Sequence, residues 1–230
     1  MSEEPDFDRF RDSYASEMER AISFAGAEHE AYTVAKVNDM LSRARTRFGD
    51  IDTLRVLDVG CGVGVTDAVL GGHFGSLHGV DVSAPMIERA RAANPTASYQ
   101  TYDGTRLPYR DGEMDIAFAI CVFHHVDVDA RAALLAEMAR VVRPGGLVLV
   151  YEHNPYNPLT RLVVSRCAFD EGVTLVRPSD AKEWCRAAGL ADSSVRYLIF
   201  FPWRLRVLLR VERGIGRVPL GAQYVIAAAT

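Results

Sequence analysis

The residues 56–64, VLDVGCGVG, form an apolar run that passes into a turn with glycine at 60, 62 and 64. Glycine permits positive φ and lets a ligand approach the backbone. Dinucleotide sites use a similar turn to seat a pyrophosphate on a helix N-terminus, so the turn alone does not choose its ligand. Asp58 does. It stands two residues before the first glycine, where a carboxylate repels a pyrophosphate and attracts a cation. The spacing also departs from G-x-G-x-x-G, because the third glycine is Gly64 and Thr66 lies nearer the place where a dinucleotide fold has one. A cationic ligand with an adenosine-like body is favoured over a nicotinamide dinucleotide.

Two further acids follow at similar places. Asp81 closes the run HGVDVS at 78–83, where a carboxylate accepts hydrogen bonds from both hydroxyls of a ribose. Its competing role, capping a helix from residue 84, is already filled by Ser83. Asp103, before Gly104 and Thr105, is placed to accept from an exocyclic adenine amine, or else is a plain turn residue. Later come VFHHV at 122–126 and YEHNPYNP at 151–158. Adjacent histidines after a strand tip do not easily point the same way, so at most one of His124 and His125 faces a pocket. Each either touches substrate or holds the loop. Glu152 and His153 form either a polarised acid–base couple or an anchor for the segment that follows.

These residues need strands that end in loops. Runs at 54–59, 77–82, 98–102, 114–121 and 147–152 read as strands, with helices beginning near Val63, Ala84 and Asp129. The third of these helices carries Ala130, Leu134, Met138, Val141 and Val142 on one face and stops at Pro144-Gly145-Gly146. Such alternation predicts a parallel α/β sheet. Before it, residues 7–48 carry apolar side chains at helical spacing with a break at Gly26, giving two helices. After it, 178–188 is a helix ended by Gly189, and 194–201 and 223–229 are strands. The segments 153–177 and 202–219 fit no regular place.

With 230 residues, 49% hydrophobic and 24% charged, the chain suits one folded α/β domain and excludes collagen-like, disordered and disulfide-scaffold classes. A net charge of −4 gives no global attraction to nucleic acid. Nine acids against three arginines in residues 1–30 read as a solvated helix face. The cysteines, at 61, 121, 167 and 185, form no CxxC pair and read as reduced and intracellular, in the cytoplasm. No signal peptide or membrane span is expected. Asp127 and Asp129 read as helix-start residues, and no metal site is expected.

Taken together, the stretches VLDVGCGVG, GVDVS, DGTRLPYRDGEMD and RVVRPGGLVLV resemble the class I S-adenosylmethionine-dependent methyltransferases over about residues 50–153, in a branch acting on small molecules. The resemblance implies a Rossmann-like, mostly parallel seven-stranded sheet with the last strand antiparallel, helices on both faces and an N-terminal helical cap. It implies one domain, with the cap at 1–48, the cofactor core at 50–153 and substrate-side insertions with the last strands at 154–230. By the same resemblance, Gly60, Cys61, Gly62 and Gly64 pack against the methionine part of S-adenosyl-L-methionine, with Asp58 near its ammonium. Asp81, beside Val82, holds the ribose, and Asp103 and Gly104 meet the adenine. Ile120 and Cys121 offer backbone atoms to the methionine portion.

The substrate-side candidates are His125, His124, His153 and Glu152 for chemistry, and Tyr14, Phe24, Tyr156, Phe169 and Trp203 as pocket walls, each of which is also an ordinary core aromatic. Asn154-Pro155-Tyr156 is similar to the N-P-P-Y motif of methyltransferases acting on base amines, but lacks the second proline and follows the wrong strand. The segment 202–218 has a local charge of +4 and leucines at helical spacing, and reads as packing, as a contact for an acidic acceptor, or as a peripheral membrane contact. The functions compared are methyl transfer to a small molecule with oxygen ahead of nitrogen or carbon, a non-catalytic binding module, and a nicotinamide-dependent oxidoreductase.

Overall fold

The computed structural model describes residues 29–167, 170, 172–201 and 214–230. The predicted helix before Gly26, the basic segment 202–213, and Tyr14, Phe24, Phe169 and Trp203 lie outside these residues. In chain order the elements are α1 (His29–Phe48), β1 (Arg55–Val59), α2 (Val65–Leu70), β2 (Ser76–Asp81), α3 (Ala84–Ala93), β3 (Ser98–Thr101), β4 (Met114–Ile120), a 3-10 turn (Phe123–His125), α4 (Arg131–Val141), β5 (Val142–His153), α5 (Pro158–Val164), α6 (Pro178–Ala187), β6 (Ala191–Leu198) and β7 (Gln223–Ala229). The strands make one seven-stranded sheet in the order β3-β2-β1-β4-β5-β7-β6. The pairs β1–β2, β1–β4, β2–β3 and β4–β5 are parallel, and β7 is antiparallel to both β5 and β6. The expected architecture is therefore present.

Strict alternation along the central strands divides the core in two. Leu57, Ala117, Ala119, Val148 and Val150 face the cluster formed by Leu134, Leu135, Met138 and Val141 of α4 and Ala181 and Cys185 of α6. Their neighbours Val56, Ile116, Phe118, Leu149 and Tyr151 face Val37, Met40, Leu41 and Ala44 of α1. Strands buried on both faces read as continuous apolar runs, which is why β4 and β5 stand out in the sequence. Within the described residues, the N-terminal region thus covers a sheet face. None of the described helices is long and apolar enough to cross a membrane.

Several boundaries differ from the sequence reading. The first crossover helix begins at Val65, two residues late, because Gly60, Gly62 and Gly64 all take positive φ and Gly64 is the N-cap residue. The helix near Asp129 begins at Arg131 and ends at Val141. Val142 already pairs with Met114, so Pro144, Gly145 and Gly146 belong to β5, and the register shifts between Met114 and Ile116 to accommodate them. Chain-terminal contacts hold that stretch in the sheet: Gly145 N–H donates to the Thr230 carbonyl and Gly146 N–H to Thr230 Oγ1. β6 runs from Ala191 to Leu198 and stops where Ile199 adopts φ 63°. The segment 153–177 contains α5, capped by Asn157, whose side chain accepts from the amides of Leu159 and Thr160.

Candidate functional site

The strand order reverses between β1 and β4, and ligands of open α/β sheets bind outside the carboxyl ends of the strands at such a point. The turn after β1 and the loop after β4 meet there. A Cβ on Gly60 would lie 2.5 Å from Val122 Cγ2, and one on Gly64 would lie 2.5 Å from Asn94 Nδ2. Gly62 differs, because a Cβ there would have no atom within 4 Å. The outer glycines are required by packing, whereas the central one faces open space. Cys61 packs its side chain with Ile87, Ala90 and Tyr99, so only its backbone is turned to that space.

Asp58 and Asp81 differ sharply in environment. Asp81 ties two loops together: its Oδ2 accepts from Gly62 N–H at 2.9 Å and its Oδ1 from Ser83 N–H at 2.9 Å. Ser83 caps α3 as expected, accepting from Met86 N–H. Asp58 is buried, and its Oδ1 has no hydrogen-bond partner. Burial, then the nearby Asp67 and Asp81, raise its pKa well above the usual carboxylate value against the pull of Lys36. Burial also lifts Asp67 to about 6, while Tyr99, donating at 2.7 Å, and Asp58 hold it lower than burial alone would. The two carboxyl groups act on each other, Asp67 raising Asp58 and Asp58 lowering Asp67.

Asp103 forms the turn that was one of its two readings. Its Oδ1 accepts from the amides of Thr105 and Arg106, which hold its pKa down to about 2. Val82, 54% exposed, sits beside Gly104, whose added Cβ would meet it at 3.4 Å. Together they leave an open apolar shelf next to the Asp81 carboxylate. At the tip of β4, Ile120 pairs with Tyr151, and Cys121 gives its N–H to the Tyr151 carbonyl while adopting φ 57°. The Cys121 thiol accepts from Gln223 Nε2 at 3.4 Å.

The histidine pair departs from the premise of the sequence reading but not from its outcome, since only His125 keeps exposure. His124 and His125 point the same way, with ring centroids 4.1 Å apart. They lie on a 3-10 turn, where consecutive side chains are about 120° apart, unlike the opposed pair of a strand. Both Nε2 atoms converge on one oxygen, Asp170 Oδ1, at 3.3 and 3.4 Å. Glu152 is coupled to His124 instead of its neighbour His153: Oε2 meets His124 Nδ1 at 2.6 Å, and Oε1 accepts from Phe123 N–H at 2.8 Å. His153 stands nearby, with its ring 5.1 Å from that of His124.

Burial opposes a charge on His124, but Glu152 and Asp170 outweigh it and its pKa is about 10. Burial and the His124 charge together bring His125 and His153 down to about 4. Asn154 is structural, donating to the carbonyls of Pro219 and Gly221 and accepting from Tyr156 N–H. Tyr156 itself is exposed.

Four residues of the site were missed from sequence. Lys36 is buried on α1, three residues after Thr33 and four before Met40 on the same buried face, and that position was its only signal. Asp67 looks like an ordinary first-turn acid. Arg131, at the first position of α4, is buried and donates to the carbonyls of Val126, His124 and Thr174, pinning the histidine turn. Asp170 lies 45 residues from His125 in sequence, and nothing local marks it.

A family model described as "Methyltransferase domain" matches residues 57–150. Among curated relatives, 2-methyl-6-phytyl-1,4-hydroquinone methyltransferase of Synechocystis is 32% identical over 48% of this chain and 37% of its own length. Demethylmenaquinone methyltransferase of Beutenbergia cavernae is 33% identical over 54% of this chain and 56% of its own. The O-methyltransferase cnsE of Penicillium expansum is 33% identical over 68% of this chain and 59% of its own. The chain thus spans less than two thirds of each of these three relatives. A SAM-dependent methyltransferase from Archaeoglobus fulgidus shares the fold at 17% identity, with a TM-score of 0.63 over 84% of this chain and 94% of that one.

Proposed function

The chain belongs to the class I S-adenosylmethionine-dependent methyltransferase family, and we propose that it transfers the methyl group of that cofactor to an oxygen of a small-molecule acceptor. The observation that carries this reading is the buried Asp58 oxygen without a hydrogen-bond partner, beside the glycine turn. A carboxyl group so placed suits an ammonium and rejects a pyrophosphate, which disfavours the nicotinamide alternative. The other residues fit the same ligand. Gly62 leaves room for it, Asp81 offers a carboxylate for ribose hydroxyls, and Val82 with Gly104 forms an apolar shelf for a flat base.

When bound, the sulfonium supplies an already activated methyl group: the O–CH3 bond forms as the S–CH3 bond breaks, and the electron pair leaves with sulfur. The chain must then align the acceptor and exclude water, and orientation of this kind supplies ~7 to 11 kcal/mol in favourable cases. His124, held through both ring nitrogens, and Glu152 are positioning residues. His125 and His153 are the imidazoles available to an acceptor proton. Tyr14, Tyr156 and Trp203 are proposed as acceptor walls. The preference for oxygen draws on the likeness to the O-methyltransferase of Penicillium expansum.

Incubation with methyl-labelled S-adenosylmethionine and a metabolite extract, followed by mass spectrometry and NMR of labelled products, tests the reading. Label in a methoxy group of a small molecule is the expected result. Label on nitrogen or carbon contradicts the oxygen assignment. Cofactor binding without any transfer would instead favour a non-catalytic binding module.

A further inference from the structure

The acceptor side holds a cluster of donor atoms that the methyl-transfer reading does not require. His124, His125 and Asp170 each offer a ligand atom, a ring nitrogen or a carboxylate oxygen, and these all lie within 4.8 Å of one another. Asp170 Oδ1 is 3.3 Å from one Nε2 and 3.4 Å from the other. A charge-assisted N–H···O bond is shorter, about 2.7–2.9 Å. A tetrahedral ion with bonds of about 2.1 Å separates its ligands by about 3.4 Å. Asp170 therefore sits at the spacing of a co-ligand more than at that of a hydrogen-bond partner.

The surroundings are those of a built metal site. Ligating histidines usually give their other ring N–H to a carboxylate, which fixes tautomer and ring orientation. Glu152 Oε2 does this to His124 Nδ1 at 2.6 Å, and Glu152 is itself fixed by Phe123 N–H. Arg131 anchors the turn from below through the His124 and Val126 carbonyls. His124 is almost fully covered, while His125 and Asp170 keep some exposure, so the open side of the triad lies toward them.

We propose that His124, His125 and Asp170 bind one divalent transition-metal ion, with Zn2+ the best match to the spacing, and that its remaining position takes the acceptor oxygen. Imidazole and carboxylate donors suit such ions and leave thiol-selective ones aside. An acceptor hydroxyl bound there loses its proton to solvent more readily, because a bound cation stabilises the oxyanion, and with the ion present His125 is a ligand and no longer takes that proton. This role rests on the methyl-transfer reading; ion binding does not.

The test uses the whole chain after chelator treatment, titrated with Co2+ as a spectroscopic probe and then with Zn2+ as competitor. The expected result is uptake of one equivalent of Co2+ with visible d–d bands, no near-ultraviolet thiolate band, and displacement by Zn2+. Asp170→Asn and His125→Asn should each weaken binding at least tenfold, and Glu152→Gln about 10- to 100-fold. His73→Asn, at an exposed histidine, should leave binding unchanged. No stoichiometric uptake, a thiolate band, or undiminished uptake by both ligand variants would overturn the site. S-adenosylhomocysteine titrated into the same samples serves as the fold check and keeps the two claims apart. Cofactor binding without metal uptake removes only the metal site, and metal uptake without cofactor binding removes only the methyltransferase reading.

Discussion

The mutual effect of the buried Asp58 and Asp67 carboxyl groups makes the glycine turn a place where charge is held in reserve. Two carboxyl groups buried together cannot both ionise cheaply, so one proton remains until a cation arrives. The sign of the pH effect follows from the raised values. Asp67 moves from an ordinary 3.8 to about 6, so the stability tied to Asp67 is full below about 4 and is lost as the pH rises through 6, and Asp58, also raised, contributes in the same direction. Asp81 and Lys36 also act on Asp58, and Tyr99 on Asp67. Asp58→Asn replaces the proton by an amide N–H that no pH removes. Thermal melts of the ligand-free variant and parent should agree near pH 4 and diverge by pH 8, with the variant more stable. Its affinity for S-adenosylhomocysteine should fall, since the ammonium loses its counter-charge. A variant that melts lower than the parent at pH 8 would contradict the raised carboxyl pair.

Among the elements, the glycine turn separates packing from binding within five residues. Gly62→Val places a side chain where nothing of the protein stands, so its cost to folding is left-handed backbone strain, about 1–2 kcal/mol, while the ligand space is filled. Gly64→Val drives its Cβ into Asn94 and Tyr99 and should lower the melting temperature much further. Calorimetry on both variants should find the first folded but unable to bind cofactor. A Gly62→Val protein that binds normally would make the turn purely structural. The strands and this turn were legible because both faces of β1, β4 and β5 are apolar and because the glycines carry φ values that other residues avoid. The histidine turn was not, since a three-residue 3-10 turn leaves no periodic trace and its partners Glu152 and Asp170 arrive from distant segments. The start of β5 was misread for a related reason: Pro144-Gly145-Gly146 looks like a helix stop, and distant contacts, Val142 with Met114 and Thr230 with both glycines, draw it into the sheet.

At the scale of the whole molecule, the sheet order places β1 beside β4 and so brings together the glycine turn after β1 and the histidine turn after β4. Asp81 joins these levels, because its carboxylate staples the glycine turn to the tip of β2 in the ligand-free protein and is the acceptor offered to the ribose. The most direct measurement is an isothermal titration of the parent chain and Asp81→Ala with S-adenosylhomocysteine, with NADH titrated alongside. The account predicts one equivalent of S-adenosylhomocysteine bound by the parent, no binding of NADH, and affinity lowered more than tenfold in the variant, since hydrogen bonds to a charged group are each worth about 1.5–3 kcal/mol. Binding of NADH in place of S-adenosylhomocysteine, or equal affinity in a folded Asp81→Ala protein, would contradict it.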